Sequence, residues 1–211
     1  MTLKLGSTGS DVKTLQGYLH LQVDGIFGNI TVEAVKAWQR EHGLTADGIV
    51  GDKTWAALQA EYGTPATGIR KTNRKINSII LHCSATVDGK QVTVDDITKW
   101  HKARGFNTIG YHYVIYLDGT VHVGRNIDVI GAHCEGHNTG SIGICYVGGI
   151  AKDHKTPKDT RNDAQRNALR ELVKKLLDTY LLKPANVHCH NEYAAKACPC
   201  FKIEDFRKEL S

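Results

Sequence analysis

Ile76-Asn77-Ser78-Ile79-Ile80-Leu81-His82 is the stretch from which the fold can be read, a short apolar run that ends in an imidazole. So short and apolar a segment reads as a buried strand, and its end is where a sheet presents a functional side chain. Alternation along the strand sends His82 and Cys83 to opposite faces. Downstream, Thr93 with Asp96 predicts a capping-box start for a helix running through Trp100. Residues 111–117 and 120–124 flank Asp118-Gly119, a dipeptide favoured in type I′ turns, which predicts a hairpin. Residues 141–147 read as a further strand ending in Gly148-Gly149. Thr160-Arg161-Asn162-Asp163 can cap a long amphipathic helix with Leu169, Leu172, Val173, Leu176, Leu177 and Tyr180 on one face. A last strand over 186–190 and a short helix over 201–210 complete an α/β domain, with a central mixed β-sheet flanked by helices.

The segment after that last strand carries the chemistry. His190-Asn191-Glu192 is followed by Lys196-Ala197-Cys198-Pro199. Two imidazoles, His82 among them, and a thiolate can hold zinc, and three protein ligands leave a coordination position open, as catalytic zinc sites do. This pattern predicts a zinc hydrolase. Spacing leaves two choices open. His188 and His190 share strand parity, and Cys198 and Cys200 could supply one ligand or two to a closed site.

Toward the N-terminus, Asp24-Gly25-Ile26-Phe27-Gly28-Asn29-Ile30-Thr31 recurs as Asp47-Gly48-Ile49-Val50-Gly51-Asp52-Lys53-Thr54. Each copy runs into a helical stretch that carries Trp38 or Trp55. The glycines suit a turn with positive φ, and Thr31 and Thr54 are candidate helix caps. With Val12, Leu15, Tyr18 and Leu19 at helical spacing, the repeat predicts a small all-α domain of three helices over residues 1–62. Gly63-Thr64-Pro65-Ala66-Thr67-Gly68 has linker composition, so residues 63–75 are read as the linker and 76–211 as the second domain.

The 211 residues hold 27 Lys/Arg against 22 Asp/Glu. Residues 1–62 carry five basic and seven acidic side chains, so the excess of positive charge lies in the remainder, 22 against 15. A basic catalytic part suits an acidic polymer such as bacterial cell wall. Nucleic acid is not expected, because the basic residues are scattered and neither a helix-turn-helix nor a stacking-aromatic motif accompanies them. Membrane insertion is not expected either, since no apolar run is long enough. The opening residues lack the apolar core of an export signal, which predicts synthesis in the cytosol. Six cysteines spread over residues 83–200 do not form a dense disulfide framework. Mostly reduced, buried thiols plus one ligand are expected.

Residues 1–62, with Gly9-Ser10-Asp11-Val12-Lys13-Thr14-Leu15-Gln16 and the paired Asp-Gly-Ile-x-Gly turns, resemble the peptidoglycan-binding domain often joined to cell-wall hydrolases. His82-Cys83-Ser84-Ala85-Thr86, Trp100-His101-Lys102, Ile109-Gly110-Tyr111-His112-Tyr113, Asn138 with Ser141-Ile142-Gly143-Ile144, Val147-Gly148-Gly149, and Lys196-Ala197-Cys198-Pro199 resemble the N-acetylmuramoyl-L-alanine amidases of the phage-lysozyme type. That zinc-amidase family also includes the peptidoglycan recognition proteins. The resemblance implies one Zn2+ held by His82, His190 and Cys198, because His-x-Glu followed by Cys-Pro six residues after the Glu falls on His190, Glu192 and Cys198. It also implies that Tyr111 and Lys196 are catalytic, and that His133, in Gly131-Ala132-His133, binds substrate. His188 then packs or supports, Cys200 stands by, and His101 and His112 serve the fold.

The function so implied is hydrolysis of the amide between N-acetylmuramic acid and L-alanine by zinc-activated water, in a monomer tethered to peptidoglycan and released in phage or prophage lysis. Two rivals are a non-catalytic peptidoglycan receptor and a cytosolic amidase that recycles soluble muropeptides. The receptor arises in this family when the cysteine ligand is replaced, and here Cys198 is present. A recycling enzyme needs no wall anchor.

Overall fold

In the computed structural model the chain forms two compact units, Met1–Arg70 and Lys71–Ser211. The structure describes residues 2–19, 21–62 and 71–210. Residues 63–70, most of the expected linker, lie outside the described residues.

The first unit is built from α1 (Ser10–Tyr18), α2 (Asn29–Glu41) and α3 (Asp52–Tyr62) around Val12, Leu15, Phe27, Val35, Trp38, Val50 and Leu58. Its internal repeat is pinned by two buried glutamines. Gln16 Nε2 donates to Asp24 Oδ1, Ile26 O and Thr31 Oγ1, while its Oε1 accepts from the Gly25 amide. Gln39 does the same with Asp47, Ile49, Thr54 and Gly48. Each glutamine satisfies the polar groups of one turn and so holds that turn against its own helix. Gly25 and Gly48 have φ of 78° and 74°, the left-handed backbone that the turns require. Thr31 and Thr54 do not cap their helices. Both helices begin two residues earlier, at Asn29 and Asp52, so the threonines lie inside the first turn and receive the glutamine side chains instead.

In the second unit the chain runs β1 (Ser78–Cys83), β2 (Thr86–Val87), α4 (Val94–Ala103), β3 (Tyr113–Ile115), β4 (Val121–Val123), β5 (Ser141–Tyr146), β6 (Gly149–Ile150), α5 (Asp163–Tyr180), β7 (Val187–Cys189) and α6 (Ile203–Lys208). The main sheet has the order β4-β3-β5-β1-β7, and every pairing in it is parallel except β3 with β4. A second, two-stranded sheet pairs β2 with β6. β5 is buried along its whole length and β1 from Ile79 onward, as expected for strands covered on both faces.

The expected capping box closes around α4, with Thr93 accepting from the Asp96 amide and Asp96 from the Thr93 amide. Asn162 and Gln165 form another at α5, whose Leu169, Leu172, Val173, Leu176 and Leu177 are buried. The β3–β4 hairpin is present, but its turn differs from the type I′ expectation. Gly119 alone has positive φ, Gly119 N donates to Tyr116 O, and Tyr116 N donates to Thr120 O. Three residues therefore form the loop, with glycine in the left-handed position, and Asp118 Oδ1 secures it by accepting from the Thr120 amide and hydroxyl.

Thr72 and Arg74 belong to the second unit's packing. The Thr72 amide donates to Tyr180 Oη at 3.1 Å. The Arg74 guanidinium donates to the carbonyls of Ile127, Val129, Thr139 and Ser141 at 2.8–3.3 Å. The flexible composition that suggested a linker ends at Gly68, before either residue.

Candidate metal centre

Parallel pairing places the ends of β1 and β7 side by side, with Ile80 opposite His188 and Leu81 opposite Cys189. His82 is thus carried on the last turn of the pleat in β1, and His190 opens a 3-10 turn directly after β7. The loop returning from that turn brings in Cys198. It is anchored by Asn191 N donating to Cys198 O at 2.9 Å and by Tyr146 Oη donating to Pro199 O at 2.8 Å.

These elements gather one ligand atom from each of His82, His190 and Cys198 within 4.8 Å of one another. His82 Nδ1 lies 3.2 Å from His190 Nδ1 and 3.9 Å from Cys198 Sγ. Around a tetrahedral zinc, with Zn–N near 2.0–2.1 Å and Zn–S near 2.3 Å, the expected separations are about 3.3 Å for N···N and about 3.5 Å for N···S. The two imidazoles are therefore already spaced for such an ion, with the thiol a few tenths of an ångström wide of it, and the nitrogen and sulfur set is the kind zinc favours. The Cys83 amide also donates to Cys198 Sγ at 3.2 Å, a contact that suits a thiolate. Burial, then the neighbouring His133 and His190, holds His82 well below the usual imidazole range, and burial with Lys196 lowers His190. Both rings are kept neutral, the form in which imidazole binds metal.

His188 does not join this group. It points toward Glu192 and Arg207, both 3.5 Å away. Glu192 accepts from the Cys189 amide at 2.7 Å and pairs with Arg207, so it caps the 3-10 turn that carries His190. Cys200 lies 3.8 Å from Cys83 and 3.3 Å from the Gly149 carbonyl. All six cysteines are free thiols, and four of them are buried.

A groove of about 610 Å³ reaches the centre at His190. His190, Tyr111, His133 and Lys196 line it, together with His101, Arg104, Glu135 and Tyr193. The Tyr111 ring is centred 5.1 Å from that of His82, and burial holds its phenol protonated, well above the usual range. Lys196 is exposed at the rim. His101 accepts the Gly110 amide at Nδ1 and so braces the segment that carries Tyr111. A Cβ at Gly110 would fall 2.1 Å from the Ala132 carbonyl, so only glycine lets the two loops pass.

His133 reaches the groove, but both of its ring nitrogens are engaged inside the protein. Nδ1 lies 3.0 Å from His82 Nε2, and Nε2 lies 3.3 Å from Ser141 Oγ. Asn138 holds this loop in place, its Oδ1 accepting from the amides of His133 and Cys134 at 2.9 Å each. Asn138 and Ser141 stand within a motif quoted above, yet nothing in their spacing signals either contact.

Two histidines and a cysteine that could hold a metal ion stand beside a groove lined by a phenol and an ammonium, an arrangement suited to a hydrolase. The N-acetylmuramoyl-L-alanine amidase family model matches residues 72–201, and a putative peptidoglycan binding domain matches residues 8–58. The chain belongs to the N-acetylmuramoyl-L-alanine amidase family. It is similar to the endolysin of Escherichia phage T7, 42% identical over 135 residues that cover 64% of this chain and 87% of that protein. The endolysin of Klebsiella phage KP32 is 41% identical over 132 residues, covering 62% of this chain and 85% of its own. Among solved structures, an endolysin N-acetylmuramoyl-L-alanine amidase from Clostridium intestinale matches with a TM-score of 0.56 and 29% identity, over 65% of this chain and 85% of that one. The protein is accordingly a peptidoglycan hydrolase of the amidase type, with a peptidoglycan-binding unit ahead of the amidase unit. Among the described residues, no helix is long and apolar enough to cross a membrane.

Proposed function

We propose that this chain is a zinc-dependent endolysin that hydrolyses the amide between the lactyl group of N-acetylmuramic acid and L-alanine, with His82, His190 and Cys198 as the zinc ligands. The observation that carries this reading is the convergence of these three donors within 4.8 Å, with His190 lining the groove. When bound, zinc would supply a Lewis acid for the amide carbonyl and a water acidified to a pKa of about 7.

The protein's own groups complete the reaction. Attack on the carbonyl develops negative charge on its oxygen, and hydrogen-bond donors aimed at that charge stabilise the transition state more than the ground state. Tyr111, protonated and beside His82, is one such donor. Lys196 at the rim is the second, and its charge also attracts an acidic stem peptide. Glu192 is left to its cap on the His190 turn. His133 lines the groove on the substrate side, and its ring also backs His82.

The reading takes the active species as a monomer, because all three ligands and both donors come from one chain. The N-terminal unit would hold the enzyme on the wall, raising the local concentration of scissile bonds. Action after release in phage or prophage lysis follows from the phage relatives. Cys198→Ser tests the reading, with zinc content and amidase activity expected to fall together. Full turnover in zinc-free Cys198→Ser protein would overturn it.

A further inference from the structure

We infer that Ser141 is a positioning residue that sets, through His133, which nitrogen of His82 carries its proton. The inference rests on the metal-site reading above and extends it to a chain of three buried groups behind the ligand.

The order of donors follows from the far end. Ser141 Oγ lies 2.6 Å from the His137 carbonyl, which can only accept, so the hydroxyl proton points there. The Oγ lone pairs then face His133 Nε2 at 3.3 Å, and that nitrogen must donate. With its proton on Nε2, neutral His133 presents a bare Nδ1 to His82 Nε2 at 3.0 Å, and His82 must donate in turn. His82 Nδ1 is thereby left without a proton, facing His190 Nδ1 at 3.2 Å and Cys198 Sγ at 3.9 Å. Reversal of the chain would place the His82 proton on Nδ1, where a metal must bind.

The surroundings prevent His133 from escaping this order. A Cβ at Gly143 would fall 2.4 Å from the His133 ring and one at Gly131 2.5 Å away, so the ring fills a slot that only glycine walls leave open. His82, His133 and Ser141 are 1%, 8% and 0% exposed, which keeps water from substituting for any member of the chain. Partners behind a metal-binding histidine fix its tautomer and orientation in this way.

The test is zinc affinity by competition with a chromophoric chelator, measured on the full chain for wild type, Ser141→Ala and Cys198→Ser. It is joined by long-range 1H–15N spectra of the imidazoles in metal-free wild type. Ser141→Ala should bind zinc about 10- to 100-fold more weakly, the usual cost of losing such a partner. Metal-free wild type should show His82 and His133 both protonated at Nε2. Wild-type affinity in Ser141→Ala, or a proton on His133 Nδ1 in wild type, would overturn the inference. Should Ser141→Ala fail to fold, the wild-type spectrum decides. Undiminished zinc binding by Cys198→Ser would instead overturn the metal-site reading itself.

Discussion

His82 and His190 oppose each other Nδ1 to Nδ1 at 3.2 Å, while His82 Nε2 is occupied by His133. The folded chain holds these two nitrogens together as a donor pair that the unfolded chain does not assemble, so a cation bound there binds the folded state. Zinc should therefore stabilise the folded chain. At zinc about one hundredfold above its Kd the gain is about 2.7 kcal/mol. Thermal unfolding with zinc and with a chelator measures it, and His190→Ala should lose the difference between the two conditions.

Tyr111→Phe separates binding from catalysis. The phenol lies beside His82 without being one of the three clustered donors. Zinc content should be unchanged, while turnover falls about 10²- to 10³-fold, the usual loss for a transition-state donor. Lys196→Met should act in the same direction. A Tyr111→Phe protein with wild-type turnover would remove the phenol from the reaction.

Arg74 is expected to matter for stability despite standing next to a linker-like segment. Its guanidinium gathers the carbonyls of Ile127, Val129, Asn138, Thr139 and Ser141, on either side of His133. Those carbonyls lose a charged donor in Arg74→Met, at a cost of about 3 kcal/mol. The urea midpoint of the second transition, or of the only one if the units unfold together, should fall accordingly.

The buried histidines predict the response to acid. Burial lowers the pKa of His112 from 6.5 to about 4. Between those values the unfolded chain binds a proton that the folded chain refuses, so stability rises with pH and is lost as pH falls. The slope is about 1.4 kcal/mol per pH unit for one such group. His82 and His133 are shifted in the same direction. Urea unfolding of zinc-free protein at pH 7, 6 and 5 should show steady loss, and His112→Asn should flatten it. An unchanged slope in that variant would contradict the assignment.

Deletion of residues 1–62 should weaken binding to intact wall far more than cleavage of a small soluble muropeptide. Equal loss on both substrates would argue against a tether.

Much of this architecture was legible because local signals were strong. The apolar run before His82 marks β1, and Thr93/Asp96 and Asn162 mark the two well-capped helices. Spacing alone does not choose between His188 and His190, since both share strand parity, and only the family resemblance points to His190. In the structure β7 ends at Cys189, and the Glu192-capped turn brings His190 rather than His188 beside His82. Gln16 and Gln39 escaped notice because their partners lie 8–15 residues away, and a buried glutamine looks like any helix-surface residue in sequence. Arg74 and Ser141 were missed for the same reason, their contacts being made only when distant loops meet.

The most direct test of the central claim is mass spectrometry of purified peptidoglycan digested by the zinc-loaded full chain, beside a chelated control. Free stem peptides with L-alanine at their amino terminus, found only in the zinc-loaded digest, are the predicted result. Intact muropeptides in both samples would contradict the account.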